Sequence, residues 1–494
     1  MFNSILALRS TPKHVVRCMW LVLWTCISLG TATGQAIVIP FTYDPISQPL
    51  LLVSVSINNS RSALFVLDTG SYWPASVTED FAKKIGLPLD QRVTHKGSNN
   101  TEVTLVPVRS ITIGKGGERT MLKLPEDEVV LLSNSLVESI STAYGIEVVG
   151  IIGVNAFERL HSPVLIDFAT NTLTVGAPKP NTDDAARTAK IPLVKKQWHY
   201  GVSLQAGSGK AVELLLDTGS AFVLFKSGIT GLPIKAKYEG TTEHVLLSEA
   251  KAGTLREEDV PAGIDKSLDA TLSWDGLLGL SFLSRFRVWL DFAGQEMVLE
   301  RLPDGQRRRL PGAGEAWLNR RANDYVVRFV VPDGPLYKAG VREGDRVLEV
   351  DGVELSKLTP LVADAVLRGL AGTEAKLLIE RGGEKKTVSF TRRSLYDMPS
   401  VTTTSARPPA SPGLTIEFTE KGFIIAGVAP GSPGEQAGLK VGDEVVEFNG
   451  LRFMSVTAEQ ILRLPEILRS LTVEGQNKMI IRRDGRLIEI SIHL

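Results

Sequence analysis

Along most of the chain, short apolar runs alternate with polar residues and are cut by Gly, Pro and Asn, the pattern of β-strands and tight turns. Ile37-Val38-Ile39-Pro40-Phe41 and Leu50 to Ile57 read as strands, with Asn58-Asn59 as a turn. Ala63 to Leu67 is a further apolar strand. A short helix bearing Phe81, Ala82 and Ile85 follows, closed by Gly86 and Pro88. Ile111-Thr112-Ile113 runs into Gly114-Lys115-Gly116-Gly117, a hairpin turn by composition. The polar stretch Ala177 to Lys190 reads as a linker, and a second β-rich block runs from Ile191 to about Leu302.

The two blocks repeat each other in order. Leu64-Phe65-Val66-Leu67-Asp68-Thr69-Gly70-Ser71 corresponds to Leu214-Leu215-Leu216-Asp217-Thr218-Gly219-Ser220, 149 positions on. Gly150-Ile151-Ile152-Gly153 corresponds to Gly276-Leu277-Leu278-Gly279, and Val164-Leu165-Ile166-Asp167-Phe168-Ala169 to Val288-Trp289-Leu290-Asp291-Phe292-Ala293. Three ordered matches mark an internal duplication of a β domain. A carboxylate at the end of a buried strand is costly unless something offsets its desolvation, so two such sites suggest two carboxylates meant to meet.

A second duplication follows. Ala339-Gly340-Val341-Arg342-Glu343-Gly344-Asp345 matches Ala437-Gly438-Leu439-Lys440-Val441-Gly442-Asp443 without a gap, 98 positions on, and the match continues to Gly352 and Gly450. Between the copies Ser394 to Pro412 is rich in Ser, Thr and Pro, an extended linker.

Length and composition narrow the function. At 494 residues several domains are expected. The formal net charge is zero, so nothing argues for nucleic acid or an acidic membrane surface. Lys13, His14 and Arg17 precede an apolar run from Met19 to Leu29 and then small residues to Ala36, the order of an export signal. An uncleaved membrane anchor is the alternative. Cys18 and Cys26, the two cysteines, both lie there, so removal of the segment leaves no thiol. The six histidines show no metal-ligand spacing, so no metal and no cofactor are expected.

Paired Asp-Thr-Gly-Ser loops, each with a later apolar-apolar-Gly element, resemble the pepsin and retropepsin-like aspartic proteases over roughly Ile37 to Leu302. The resemblance implies catalytic Asp68 and Asp217, two carboxylates sharing one proton. It implies support from Thr69, Gly70, Ser71, Thr218, Gly219 and Ser220, with the two threonines bonding across the lobe interface and the serines bonding the outer carboxylate oxygens. A flap is expected at Thr94 to Val103, or else at the Gly114 to Gly117 hairpin. Tyr72 and Trp73 are candidates for the cleft wall.

The C-terminal pair resembles PDZ domains over roughly Gly314 to Arg393 and Pro412 to Leu494. This implies strand addition of a peptide tail, with Gly413, Leu414, Thr415 and Ile416 as the peptide-binding residues of the second copy. The first copy has Trp317-Leu318-Asn319-Arg320 in that region, without the expected glycine.

The expected fold is thus mainly β: a two-lobed retropepsin-like β-barrel fold followed by two PDZ-like β/α domains. The expected boundaries are 1–36 for the signal peptide or anchor, 37–180 and 181–305 for the lobes, 312–394 for the first PDZ domain, 395–411 for a linker and 412–494 for the second. The expected function is an exported, monomeric aspartic-type endopeptidase acting on protein or peptide substrates and taking peptide C-termini through its PDZ domains. A non-catalytic peptide-binding scaffold is the alternative.

Overall fold

The computed structural model describes residues 36–494 apart from 97–101, 116–117, 123–126, 133, 208–210, 240–242, 267, 305–309, 314, 322–323, 398–411, 420–421, 450 and 453–475. The N-terminal segment expected to be an export signal or anchor, with Cys18 and Cys26, and the tips of both flap candidates lie outside the described residues. Thr94 to Val103 falls on a hairpin of Val93–Lys96 with Glu102–Val108, and the runner-up on a hairpin of Ile111–Lys115 with Glu118–Leu122. No helix among the described residues is long and apolar enough to cross a membrane.

The architecture is mainly β. In the first block the strand Ala63–Asp68 lies between two neighbours of opposite sense. Gln48–Ile57 is antiparallel to it, and Val148–Gly153 is parallel, with Ile152 opposite Leu67 and Gly153 opposite Asp68. Ala75–Thr78 and then Asp127–Leu132 extend the sheet. The second block repeats this order with His199–Leu204, Val212–Leu216, Gly276–Leu278, Val223–Phe225 and Leu255–Ile264. Val148–Gly153 is buried at every position, as a strand covered on both faces must be. The expected short helix is Glu79–Lys84, whose first turn is capped by the Thr78 hydroxyl accepting from the Phe81 N–H at 3.2 Å.

A six-stranded sheet joins the blocks, in the order Ile37–Pro40, Thr172–Val175, Val164–Asp167, Phe286–Asp291, Glu296–Arg301, Thr188–Pro192. At its centre the third pair of repeated segments meets itself, Val164 opposite Leu290 and Ile166 opposite Val288. The stretch expected as a linker is instead packed on this sheet. Ala177 is buried, Trp289 Nε1 donates to the Pro178 carbonyl at 3.0 Å, and Lys179 Nζ reaches Asp291 at 2.7 Å and Glu296 at 2.5 Å. Asp167 accepts from Arg287 Nε at 3.0 Å, so both repeated aspartates of this sheet serve ion pairs. Arg285 is fully buried, donating to Glu257, to the carbonyls of Glu258 and Asp259, and from Nε to the Ser281 carbonyl.

Each C-terminal copy is a small antiparallel sheet. The first runs Ala316–Arg321, Asp324–Val330, Arg346–Val350, Glu374–Arg381, Glu384–Thr391, with the helix Pro360–Arg368 contributing Ala363 and Leu367 to its core. The second runs Leu414–Thr419, Gly422–Val428, Glu444–Phe448, Gln476–Arg483, Arg486–His493. The repeated Gly-Asp motif has one use in both copies. Buried Asp345 pairs with Arg381 at 2.6 Å, and buried Asp443 with Arg483 at 2.6 Å. The start of the Ser/Thr/Pro stretch is not free chain, because Leu395 and Tyr396 pack against Leu246.

Candidate functional site

The two Asp-Thr-Gly loops meet head to head. The Thr69 N–H donates to Thr218 Oγ1 at 3.0 Å, and the Thr218 N–H donates to Thr69 Oγ1 at 3.0 Å. Each hydroxyl then donates onward into the opposite block, Thr69 Oγ1 to the Leu216 carbonyl and Thr218 Oγ1 to the Leu67 carbonyl, both at 2.9 Å. Both threonines are buried, so this four-bond lock is shielded from water and relates the loops by a local twofold axis.

The glycines let the carboxylates approach. A Cβ on Gly70 would stand 2.7 Å from Asp217 Cγ, and one on Gly219 would stand 2.7 Å from Asp68 Cγ, closer than real side chains come. Any larger residue forces the pair apart. Behind each loop, Ile152 and Leu278 are fully buried, and Gly153 and Gly279 lie directly against backbone carbonyls of the Trp73 and Phe222 segments.

The electrostatics follow from this closeness. Asp68 Oδ1 accepts from the Gly70 N–H at 2.8 Å and the Ser71 N–H at 3.2 Å, and Asp217 Oδ1 accepts from the Gly219 N–H at 2.9 Å. Burial pushes the Asp68 carboxyl above its ordinary value, while its hydrogen bond with Asp217 and the two backbone N–H groups pull the other way.

The structure brings together all six expected supporting residues, but not in all the expected roles. The Ser220 hydroxyl donates to the Phe222 carbonyl at 2.9 Å and so braces its own loop, and Ser71 reaches Asp68 through its backbone N–H. Two neighbours were not singled out from the sequence. His199 hydrogen-bonds the backbone of Gly70 and feels the charge of Asp68; burial lowers its pKa and Asp68 opposes that. Trp198, 52 % exposed, packs tilted against Tyr72 with ring centroids 5.1 Å apart, and Tyr72 also meets Trp73 at 5.7 Å. The one local signal is two adjacent ring-bearing residues, Trp198 and His199, where the strands Val194–Lys196 and His199–Leu204 turn back on each other.

In the second C-terminal copy, Gly413 has φ 71° and leads into Leu414–Thr419, the strand at the end of its sheet. Leu414 and Ile416 point into the core and Thr415 is exposed, the alternation a ligand strand would read.

Comparison with known proteins matches the PDZ domain family at residues 326–381 and 424–469, and the chain therefore carries two PDZ domains. Whirlin of Rattus norvegicus is 26% identical over 186 residues, covering 29% of this chain and 20% of that protein. A probable periplasmic serine endoprotease DegP-like of Pseudomonas fulva is 27% identical over 246 residues, covering 44% of this chain and 49% of that protein. The solved PDZ domain of a carboxy-terminal protease from Vibrio cholerae, in complex with peptide, is 24% identical, with a TM-score of 0.16, covering 17% of this chain and 96% of that one. The chain spans between a fifth and about half of the length of these two curated relatives.

These matches correct the expected enzyme class. The family found is PDZ, not an aspartic protease family, and the endoproteases among the relatives are named as serine-type. The aspartic-type endopeptidase expected from the paired loops is overturned on that ground. Paired loops fix a geometry, and a geometry by itself does not assign a reaction.

Proposed function

We propose that this chain is an exported PDZ protein of the protease class, which takes polypeptides by their C-terminal ends. The observation that carries the reading is the end strand Leu414–Thr419 with left-handed Gly413 before it, in the same sheet as the strand Gly422–Val428 with which the second PDZ family match begins. An added strand gains backbone hydrogen bonds along that edge, and backbone N–H groups of the preceding loop take the terminal carboxylate. Gly413, Leu414, Thr415 and Ile416 are the proposed contacts. Protease class and export come from the DegP-like relatives, whose names make them periplasmic serine endoproteases.

Asp68 and Asp217 are the proposed acid–base pair, with Thr69, Gly70, Ser71, Thr218, Gly219 and Ser220 as support. What supports this is the buried threonine lock and the approach that only glycine permits. The same lock, and the repeated strand order, support reading the blocks as lobes of a retropepsin-like fold. The domain boundaries 37–180, 181–305, 312–394 and 412–494, an N-terminal segment 1–36 and a linker 395–411 go with that reading, as does a monomer holding its whole site in one chain.

The test is capture of a peptide library with free C-termini by the full chain and by Gly413→Glu, with amide-capped peptides as the control. The variant is expected to lose free-end capture at least tenfold, and equal capture of free and capped ends refutes the reading. Cleavage of the same library, with a serine-directed covalent reagent in one arm and Asp68→Asn in another, then separates the nucleophile from the carboxylate pair.

A further inference from the structure

The two carboxyl groups sit in loops related by a local twofold axis, but the residues beside them are not so related. Register locates the break. Gly201 lies opposite Leu215 as Leu52 lies opposite Val66, and Leu215 and Val66 each stand two positions before the aspartate of their loop. His199 therefore corresponds to Leu50. Leu50 is buried in an apolar cluster with Val137 and Ile140 and has no group that can carry charge. The first loop thus receives a base from the opposite block, where the symmetric position offers hydrocarbon.

His199 is held against the first loop by two contacts. The imidazole donates to the backbone of Gly70, a bond that favours its protonated form, and it meets the Tyr72 ring edge-on with centroids 6.4 Å apart. Gly70 in turn gives its N–H to Asp68 Oδ1 at 2.8 Å. The ionisable groups that face the imidazole are Asp68 and Tyr72 of that loop. Lys196, opposite His199 across its hairpin, is engaged by Glu213 at 2.6 Å and lies over the Trp274 ring. An ionised carboxylate only accepts, so the hydrogen bond between Asp68 and Asp217 needs a proton on one of them. A twofold arrangement does not choose which, and a cation on one side of it does.

We propose that His199 makes the carboxyl pair unequal: its imidazolium holds the negative charge on Asp68, and the proton stays on Asp217. This rests on the proposed reading of Asp68 and Asp217 as an acid–base pair. An opposite charge beside a carboxylate favours its charged form, and does so most where water is excluded. Asp68 then accepts the hydrogen bond and Asp217 gives it. In that state Asp68 is the group that can take a proton, and Asp217 the one that can release it. Burial lowers the His199 pKa and the charge of Asp68 opposes that, so each of the two groups supports the charge of the other.

The test follows the carboxyl carbons of isotope-labelled aspartate in the full chain by NMR, with Asp68→Asn and Asp217→Asn assigning the two signals. As pH falls from alkaline to strongly acid, the Asp217 signal is expected to record protonation first and the Asp68 signal last. His199→Gln keeps a hydrogen-bonding group beside Gly70 without the charge, and His199→Leu installs the residue of the symmetric position. Both are expected to bring the two titrations closer together. Reciprocally, Asp68→Asn is expected to move the His199 imidazole titration to lower pH. An Asp68 signal that titrates first, or an unchanged interval in His199→Gln, overturns the inference. Failure of the underlying reading shows separately, as peptide cleavage that survives both Asp68→Asn and Asp217→Asn while the carboxyl titrations still respond to His199.

Discussion

Replacing Thr218 with Val tests the lock between the two blocks. The substitution keeps the shape and removes one hydroxyl that accepts from the Thr69 N–H at 3.0 Å and donates to the Leu67 carbonyl at 2.9 Å. Thr218 is 0 % exposed and Thr69 1 % exposed, so water does not replace either bond. A buried N–H left without a partner costs about 1–3 kcal/mol, and the loss of one bond to a carbonyl about 0.5–1.5 kcal/mol. The added methyl group returns at most about 0.8 kcal/mol. The expected net loss is about 2–3 kcal/mol. Native-state hydrogen exchange reads it where it arises: the Thr69 amide should exchange roughly thirtyfold to a hundredfold faster. Thr218→Ser keeps the oxygen and should cost only about 1 kcal/mol. Exchange within threefold of wild type, or equal losses for Val and Ser, refutes the claim that the hydroxyl bonds hold the loops together.

Gly70→Ala should cost about 1–3 kcal/mol by overpacking against Asp217, and Gly219→Ala a similar amount against Asp68; urea midpoints of both check this, and one neutral substitution breaks the twofold argument. Asp68→Asn should stabilise the protein at neutral pH. The folded-state pKa of Asp68 is raised by burial, so its favourable contribution is present below the unfolded-state pKa and is lost as pH rises through the folded value. The advantage of the Asn variant should therefore shrink in acid, and a urea midpoint followed from neutral pH into acid shows whether it does. Lys179→Met should cost about 1–2 kcal/mol at neutral pH, discounted for its partial exposure. Hydrogen bonds from Lys179 and then Lys190 lower the Glu296 pKa, so that stability is present above the ordinary carboxylate value and lost as pH falls through the lowered folded value; a Lys179→Met defect that persists below that value contradicts the assignment.

Much of this protein was legible in its sequence, for physical reasons. Buried strands covered on both faces must read as unbroken apolar runs, so Leu64 to Leu67 and Leu214 to Leu216 announced themselves. Close backbone passage admits only glycine, so Gly70, Gly153, Gly219 and Gly279 recur at matching places. The gapless match in the C-terminal half found both PDZ domains, which the family comparison supports.

Other features exist only once the chain is folded. Composition marked Ala177 to Lys190 as a linker, yet Trp289, Asp291 and Glu296 fix it to the joint sheet through partners more than a hundred residues away. His199 comes to Asp68 and Trp198 to Tyr72 because the hairpin before the second Asp-Thr-Gly strand folds onto the first loop, a placement that no local pattern encodes. The sequence showed the first PDZ domain without the expected glycine, but only the packed structure showed what stands at that position, Glu315, filling the space above Gly334. Sequence by itself determined the repeats, the strands and the Asp-Thr-Gly pair, because burial and backbone sterics act on each residue where it stands. Tertiary structure decided which charges meet, because electrostatics depends on distances between residues far apart in the chain.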